Sequence, residues 1–189
     1  VENACKKMNI ESRLVSDAAG LESASGIILP GVGSAKATMD SLSELGIIDK
    51  LSELVLEKKV PFLGICVGLQ VLFEHSEEDD TDCLGWFKGQ VKQFDKSKVR
   101  VPQIGWNRVD WKQSNAVNKG SESGNYFYFV NSYYVVPDDD SIVMAVTDYN
   151  GEFVSMVSSG NIYASQFHIE KSGTAGLQLL KNFADLGEK

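Results

Sequence analysis

The chain has two histidines and three cysteines in 189 residues. Cys5, Cys66 and Cys83 are odd in number and widely scattered, which does not fit the disulfide framework of a small secreted domain. They suit free thiols in a reducing compartment, so the expected location is cytoplasmic. No apolar run is long enough to span a membrane, and the first residues do not read as a signal peptide. No stripe of Lys and Arg is present, and a net charge of −8 argues against a nucleic-acid partner. There is no internal repeat and no low-complexity segment. The shortage of histidine is itself informative: chemistry that needs an imidazole must draw on His75 or His168.

What is present is ordinary for a globular protein, with 43% hydrophobic and 23% charged residues. The length fits one domain over residues 1–189, with enough chain for a full core.

The chain is organised around residues 60–70, VPFLGICVGLQ. An apolar run of strand formers ends in Gly64-Ile65-Cys66-Val67-Gly68, and a helical pattern follows at once. This is the strand, tight turn and helix of a nucleophile elbow, with Cys where a hydrolase carries Ser. Glycine on either side relieves crowding around a strained central residue. Cys66 then projects at the end of a strand and the start of a helix, where the helix dipole favours a thiolate. The amide of Val67 points into the same space and can donate to an oxyanion.

In chain order, residues 1–8 read as the tail of a helix, 11–15 as a short strand and 26–29 as a buried parallel-type strand. Pro30-Gly31-Val32-Gly33 marks a loop whose backbone approaches something closely. Helices are expected over 35–45 and 48–58, broken at Gly46, and the helix after Cys66 is expected to run to about His75. Alternating strands and helices predict a parallel sheet with helices on both faces. Residues 76–82 form an acidic run and read as a solvated loop. Residues 89–94 alternate as a half-buried strand, and 99–111 read as an extended segment and a turn before a strand. Residues 126–136 are strongly aromatic and read as one strand interrupted by polar Asn131-Ser132. Strands over 141–147, 153–158 and 162–166 are joined by short turns, which suggests an antiparallel section of a mixed sheet. A closing helix over 174–186 should bury Leu177, Leu180, Phe183 and Ala184.

A cysteine nucleophile needs a base, and the base needs a group to orient it. His75 sits beside acidic residues at the expected helix end and reads as solvated. His168 follows a strand, and in extended backbone Glu170 shares its face. Glu170 can then hold one tautomer of His168 and stabilise the imidazolium. His-x-Glu is also a zinc-deaminase element, but that site needs a Pro-Cys-x-x-Cys partner that Cys5 and Cys83 do not supply. No metal and no cofactor are expected.

At these residues the sequence resembles the class I (triad) glutamine amidotransferases, over nearly the whole chain. Within them the likeness is to the glutaminase subunits of imidazole glycerol phosphate synthase. Pro30–Gly33 resembles their oxyanion loop and Gly64–Gln70 their elbow. Pro102–Asn107 and Tyr126–Tyr134 resemble two further stretches, and Gln166–Gly173 resembles the closing triad motif. Three positions depart from the usual pattern: Ile169 stands for Pro, and Gln103 and Asn131 each stand for His. The resemblance also places a first strand and a glycine turn ahead of Val1, so the family's first strand is expected to be missing here.

The resemblance implies a three-layer α/β fold, flavodoxin-like, with a mixed, mostly parallel sheet flanked by helices. It implies glutamine hydrolysis by Cys66, His168 and Glu170, with an oxyanion held by Gly31, Val32, Gly33 and Val67. Gln70, Ser132 and Tyr133 would grip the glutamine head group. The implied partner is a (β/α)8 cyclase subunit that takes the ammonia and forms a heterodimer with this chain in histidine biosynthesis. Trp106, Asn107 and Lys171 are candidate partner-facing residues. Activity without the partner is expected to be weak. Three other readings stand beside this one: a glutaminase serving another synthase, for instance in surface-sugar biosynthesis; a γ-glutamyl peptidase on the same scaffold; and a non-catalytic binding subunit.

Overall fold

The computed structural model describes residues 1–187. The helices are α1 (Glu2–Lys7), α2 (Ala18–Leu21), α3 (Ala35–Glu44), α4 (Ile48–Ser52, continued by a π-helical turn to Glu57), α5 (Val67–Gln70) and α6 (Gly173–Gly187). The strands are β1 (Ile27–Gly31), β2 (Phe62–Cys66), β3 (His75–Ser76), β4 (Thr81–Asp82), β5 (Gly89–Gln93), β6 (Gln103–Arg108), β7 (Asp110–Trp111), β8 (Tyr126–Asn131), β9 (Tyr133–Pro137), β10 (Val143–Asp148), β11 (Glu152–Ser159) and β12 (Ile162–Ser165).

The main sheet runs β1-β2-β12-β11-β9-β5-β3-β4, with β10 on β11 and β7 on β10; β6 and β8 form a separate ribbon. β2 lies between β1 and β12 and is parallel to both. All five of its residues are buried, which is why it reads as a continuous apolar run. Its alternate side chains feed two cores: Leu63 and Ile65 pack with Tyr163, Leu180 and Phe183 on one face. Phe62 packs with Leu42, Leu51 and Leu54 on the other. Helices therefore cover both faces, giving the mixed α/β fold the sequence predicts. The β10, β11 and β12 pairings are antiparallel, also as expected.

Several elements differ from the sequence reading. Residues 11–15 form no strand; Leu14 is exposed, and the segment has no ladder among the described residues. A strand needs a neighbour, so β-propensity without one does not make a ladder. The helix after Cys66 closes at Gln70 rather than near His75. Beyond it, the carbonyls of Val71, Leu72 and Phe73 accept from the amides of Leu84, Phe87 and Gly85. The 84–87 segment thus takes the acceptors that a longer helix would have used. The aromatic run splits into β8 and β9 at Ser132, in different sheets. Residues 76–82 are not a plain loop: they contribute β3, a turn and β4. In α6 the fully buried side is Gly176, Leu179, Leu180 and Phe183, with Leu177 and Ala184 only half-buried.

The elbow depends on close backbone approach. A Cβ on Gly68 would collide with the Leu29 carbonyl oxygen of β1, and one on Gly31 would lie 2.6 Å from Val67 Cβ. Gly68→Ala is expected to destabilise the fold by about 1–3 kcal/mol through overpacking. In thermal unfolding this is a Tm loss of about 2–4 °C per kcal/mol for a chain of this size. An unchanged melting curve would show that the elbow can retreat from β1 without cost.

Candidate functional site

Parallel register builds the site. Gly31 lies opposite Cys66, and Ser165 opposite Ile65. The three strands β1, β2 and β12 therefore end at one level, and the residues that follow them converge there. Ligands in α/β sheets bind at such carboxyl ends. Cys66 has φ 59° and ψ −109°, a positive-φ backbone for a side chain with a Cβ. Val67 opens α5, where the first amides of a helix have no helical acceptor.

His168 and Cys66 line the same cavity, and the His168 ring is hydrogen-bonded to Glu170 on its other side. Its Nδ1 lies 2.9 Å from Glu170 Oε1, which leaves Nε2 to face the sulfur. The local backbone is not the extended one expected: Ile169–Lys171 form a 3-10 turn that brings Glu170 back beside the ring. β8 clamps this turn. The His168 amide donates to the Tyr128 carbonyl, the Tyr128 amide donates to Ser172 Oγ, and Ser172 Oγ donates to the His168 carbonyl. Phe127 and Phe129 pack on Phe167 just before it, with ring centroids 4.4 and 5.7 Å apart. Ile169, where the family pattern has Pro, is fully buried.

The hydrogen bond to Cys66, then that to Glu170, hold the proton on His168 and raise its pKa from 6.5 to about 9, against the opposing effect of burial. Burial pushes the Glu170 carboxyl up, but its hydrogen bond to His168 and the charge there outweigh this and hold it below its ordinary value.

A cavity of about 310 Å³ opens over the sulfur. Val32, Gly33, Cys66, Val67, Gln70, Ser132, Tyr133 and His168 line it, and so does Lys171, which the sequence reading places among the partner-facing residues. Gly31 lies beneath, against Val67. Trp106 and Asn107 are not in the lining. Trp106 is half-exposed on the ribbon beside Tyr128, and Asn107 Nδ2 donates to the Asp148 carbonyl at 2.8 Å. His75 also lies outside the lining; it sits in β3 between Asp80 and Asp82, at 3.2 and 3.1 Å. A larger depression over residues 114–121 is an open surface loop without a titratable cluster facing it.

The cavity also contains residues the sequence reading missed. Glu78 is one, and its Oε2 accepts from the Ala35 amide at 2.8 Å, which ties it to the start of α3 behind the Gly31–Gly33 loop. Burial raises its pKa, partly offset by that amide and reinforced by Asp79. Within a run of acids, nothing local marks Glu78 as different. Pro102, Val130 and Asn131 complete the wall.

Because the His168 pKa is raised on folding, its stabilising contribution is fully present below about pH 6.5 and is lost as pH rises through about 9. Glu170→Gln removes one of the two groups holding the proton. Its His168 ring should titrate at lower pH than the native ring in an NMR titration. An unmoved titration would show that Glu170 does not hold the imidazolium.

The comparisons with known proteins agree with this arrangement. The Glutamine amidotransferase class-I family model matches residues 3–186. Imidazole glycerol phosphate synthase subunit HisH of Leptospira interrogans is 45% identical over 188 residues, covering 97% of this chain and 92% of its own. The protein of the same name from Dehalococcoides mccartyi is 44% identical over 192 aligned positions, covering 100% of this chain and 93% of its own. Among solved structures, a glutamine amidotransferase superposes with TM-score 0.77 at 20% identity, covering 100% of this chain and 92% of that one. A putative GMP synthase protein from Thermoplasma acidophilum superposes with TM-score 0.71 at 18% identity, covering 98% and 85%. The two superpositions share the fold, and the near-full-length family match carries the assignment: the chain belongs to the class-I glutamine amidotransferases, enzymes that hydrolyse glutamine.

Proposed function

We propose that this chain is the glutaminase subunit of an imidazole glycerol phosphate synthase, using Cys66, His168 and Glu170 as its triad. The observation that carries the reading is the placing of Cys66 and His168 in one cavity sized for a small amide substrate, with Glu170 hydrogen-bonded to the His168 ring at 2.9 Å. The identity of relatives named as subunits of that synthase supports the choice within the family.

In this reading Cys66 Sγ attacks the side-chain carbonyl carbon of glutamine. The carbonyl oxygen takes the negative charge and is held by amides of Val67 and the Gly31–Gly33 loop. His168, protonated at neutral pH, gives its proton to the departing nitrogen, and a γ-glutamyl thioester remains on Cys66. His168 then takes a proton from water as it attacks the thioester, and glutamate leaves with the thiolate restored. Glu170 keeps the ring oriented throughout. Ser132 and Tyr133 line the wall where the head group rests. Glu78, a carboxylate in that wall, receives the α-ammonium.

Ammonia released into water is protonated and ceases to be a nucleophile, so direct transfer to a (β/α)8 cyclase subunit follows. Exposed Ile104 and Trp106 on the β6–β8 ribbon, exposed Val32 and cavity-lining Lys171 support a docking face at the mouth. Free thiols at all three cysteines are consistent with a cytoplasmic location. The two cores sharing one central strand support a single amidotransferase domain.

Glutamate release should rise strongly when the barrel subunit with its nucleotide ligand is added, and Cys66→Ala should lower it at least about 1000-fold. Activity that the barrel leaves unchanged would move the partner elsewhere; no activity in a folded full-length chain would sink the enzyme reading. Glu78→Gln keeps an acceptor for the Ala35 amide but loses the charge. It should raise KM for glutamine about 10-fold or more with little change in kcat, the scale of a charge-assisted hydrogen bond.

A further inference from the structure

Gln166 is fully buried and follows β12 directly. The register that sets Ser165 beside Ile65 carries Gln166 to the side of Cys66. Its Nε2 stands 3.7 Å from Cys66 Sγ, a hydrogen-bond distance for sulfur.

Which end of this amide faces the sulfur is decided two groups away. The Tyr133 carbonyl can only accept, and it accepts from Asn131 Nδ2 at 3.0 Å and from Gln70 Nε2 at 3.2 Å. Gln70 Nε2 is thereby fixed as a donor. Its second N–H goes to Gln166 Oε1 at 3.0 Å. With its oxygen engaged, Gln166 must turn its own N–H toward Cys66. A flipped Gln166 would oppose two NH2 groups and set a carbonyl oxygen against the sulfur. The order of these contacts is a relay of amides, each orienting the next.

The sulfur needs such a donor. As a thiol, Cys66 donates to the Val130 carbonyl at 3.7 Å. Once the proton leaves, that carbonyl is an unfavourable neighbour for the thiolate. His168 faces the sulfur from one side, and an N–H from Gln166 offsets the carbonyl from another. Hydrogen bonds to an ionised group are the strong ones.

We propose that Gln166 is a further catalytic residue, donating a hydrogen bond to the Cys66 thiolate, with Gln70 and Asn131 as positioning residues that fix its orientation through the Tyr133 carbonyl. The inference rests on Cys66 being the nucleophile. It also gives Gln70 a second part, since both of its N–H groups are engaged within the protein.

The test is the pH dependence of Cys66 alkylation by iodoacetamide in the full chain, read at the Cys66 peptide by mass spectrometry. Gln166→Met keeps a similar volume and removes the donor. Its alkylation midpoint should rise by about one pH unit, and its rate below the midpoint should fall about tenfold. Gln70→Met leaves Gln166 free to flip and should shift the midpoint the same way by less. A folded Gln166→Met chain, shown by unchanged circular dichroism, that alkylates with the native midpoint overturns the proposal. Should Gln166→Met not fold, Gln70→Met decides: an upward shift supports the relay, and an unmoved midpoint overturns it. The readout involves no glutamine turnover, so a failure of the glutaminase reading and a failure of this one give different results.

Discussion

Everything at the site depends on the Cys66 backbone being held at φ 59°. A side-chain-bearing residue in a sparsely populated conformation costs about 1–3 kcal/mol and persists only where its surroundings over-determine it. Here they do. Parallel neighbours on both sides fix β2 in place, and the next residues must turn sharply into α5, whose Gly68 rests on the backbone of β1. The buried apolar strand supplies the free energy that the strained elbow consumes. The sulfur is left standing above the sheet instead of inside it.

The same three strands set the electrostatics. β12 ends beside β2, so the turn after it delivers His168 to the sulfur and Glu170 to His168. The turn is not free to drift, because β8 holds it by backbone and by Ser172 while Phe127, Phe129 and Phe167 pack beneath. The imidazole is largely buried, and two charge partners keep it protonated well above its ordinary range. Packing thus does for this pair what a covalent link would do: it holds donor and acceptor at hydrogen-bond distance at little further entropic cost.

The wall between the sheet and the ribbon is polar in an unusual way. Gln70, Gln103, Asn131 and Gln166 are all buried, and Gln103 stands opposite Asn131 across the ribbon. Amides do not change charge between pH 5 and 8, whereas the histidines usual at positions 103 and 131 in the family pattern would. Positions 103 and 131 therefore add no group that changes charge in that range.

The local parts of this protein were legible in the sequence. The elbow around Cys66, the His168–Glu170 pair, the Pro30–Gly33 loop and the alternation of strand and helix are short-range patterns, since backbone strain, residue spacing and apolar periodicity act over a few neighbours. Even so, spacing alone pairs His168 with Glu170 through an extended backbone, whereas the structure uses a 3-10 turn. Tertiary contacts alone decided the rest. Residues 11–15 have no neighbouring strand among the described residues. The amides of residues 84–87 end the elbow helix early by taking its carbonyls. Ser132 sends one aromatic run into two sheets. Glu78 leaves an acidic run to enter the cavity, and Gln166 meets a sulfur 100 residues away. A hydrogen bond or an ion pair across such a separation depends on which groups the packed fold places within a few ångströms, and residue identity along the chain does not encode that distance.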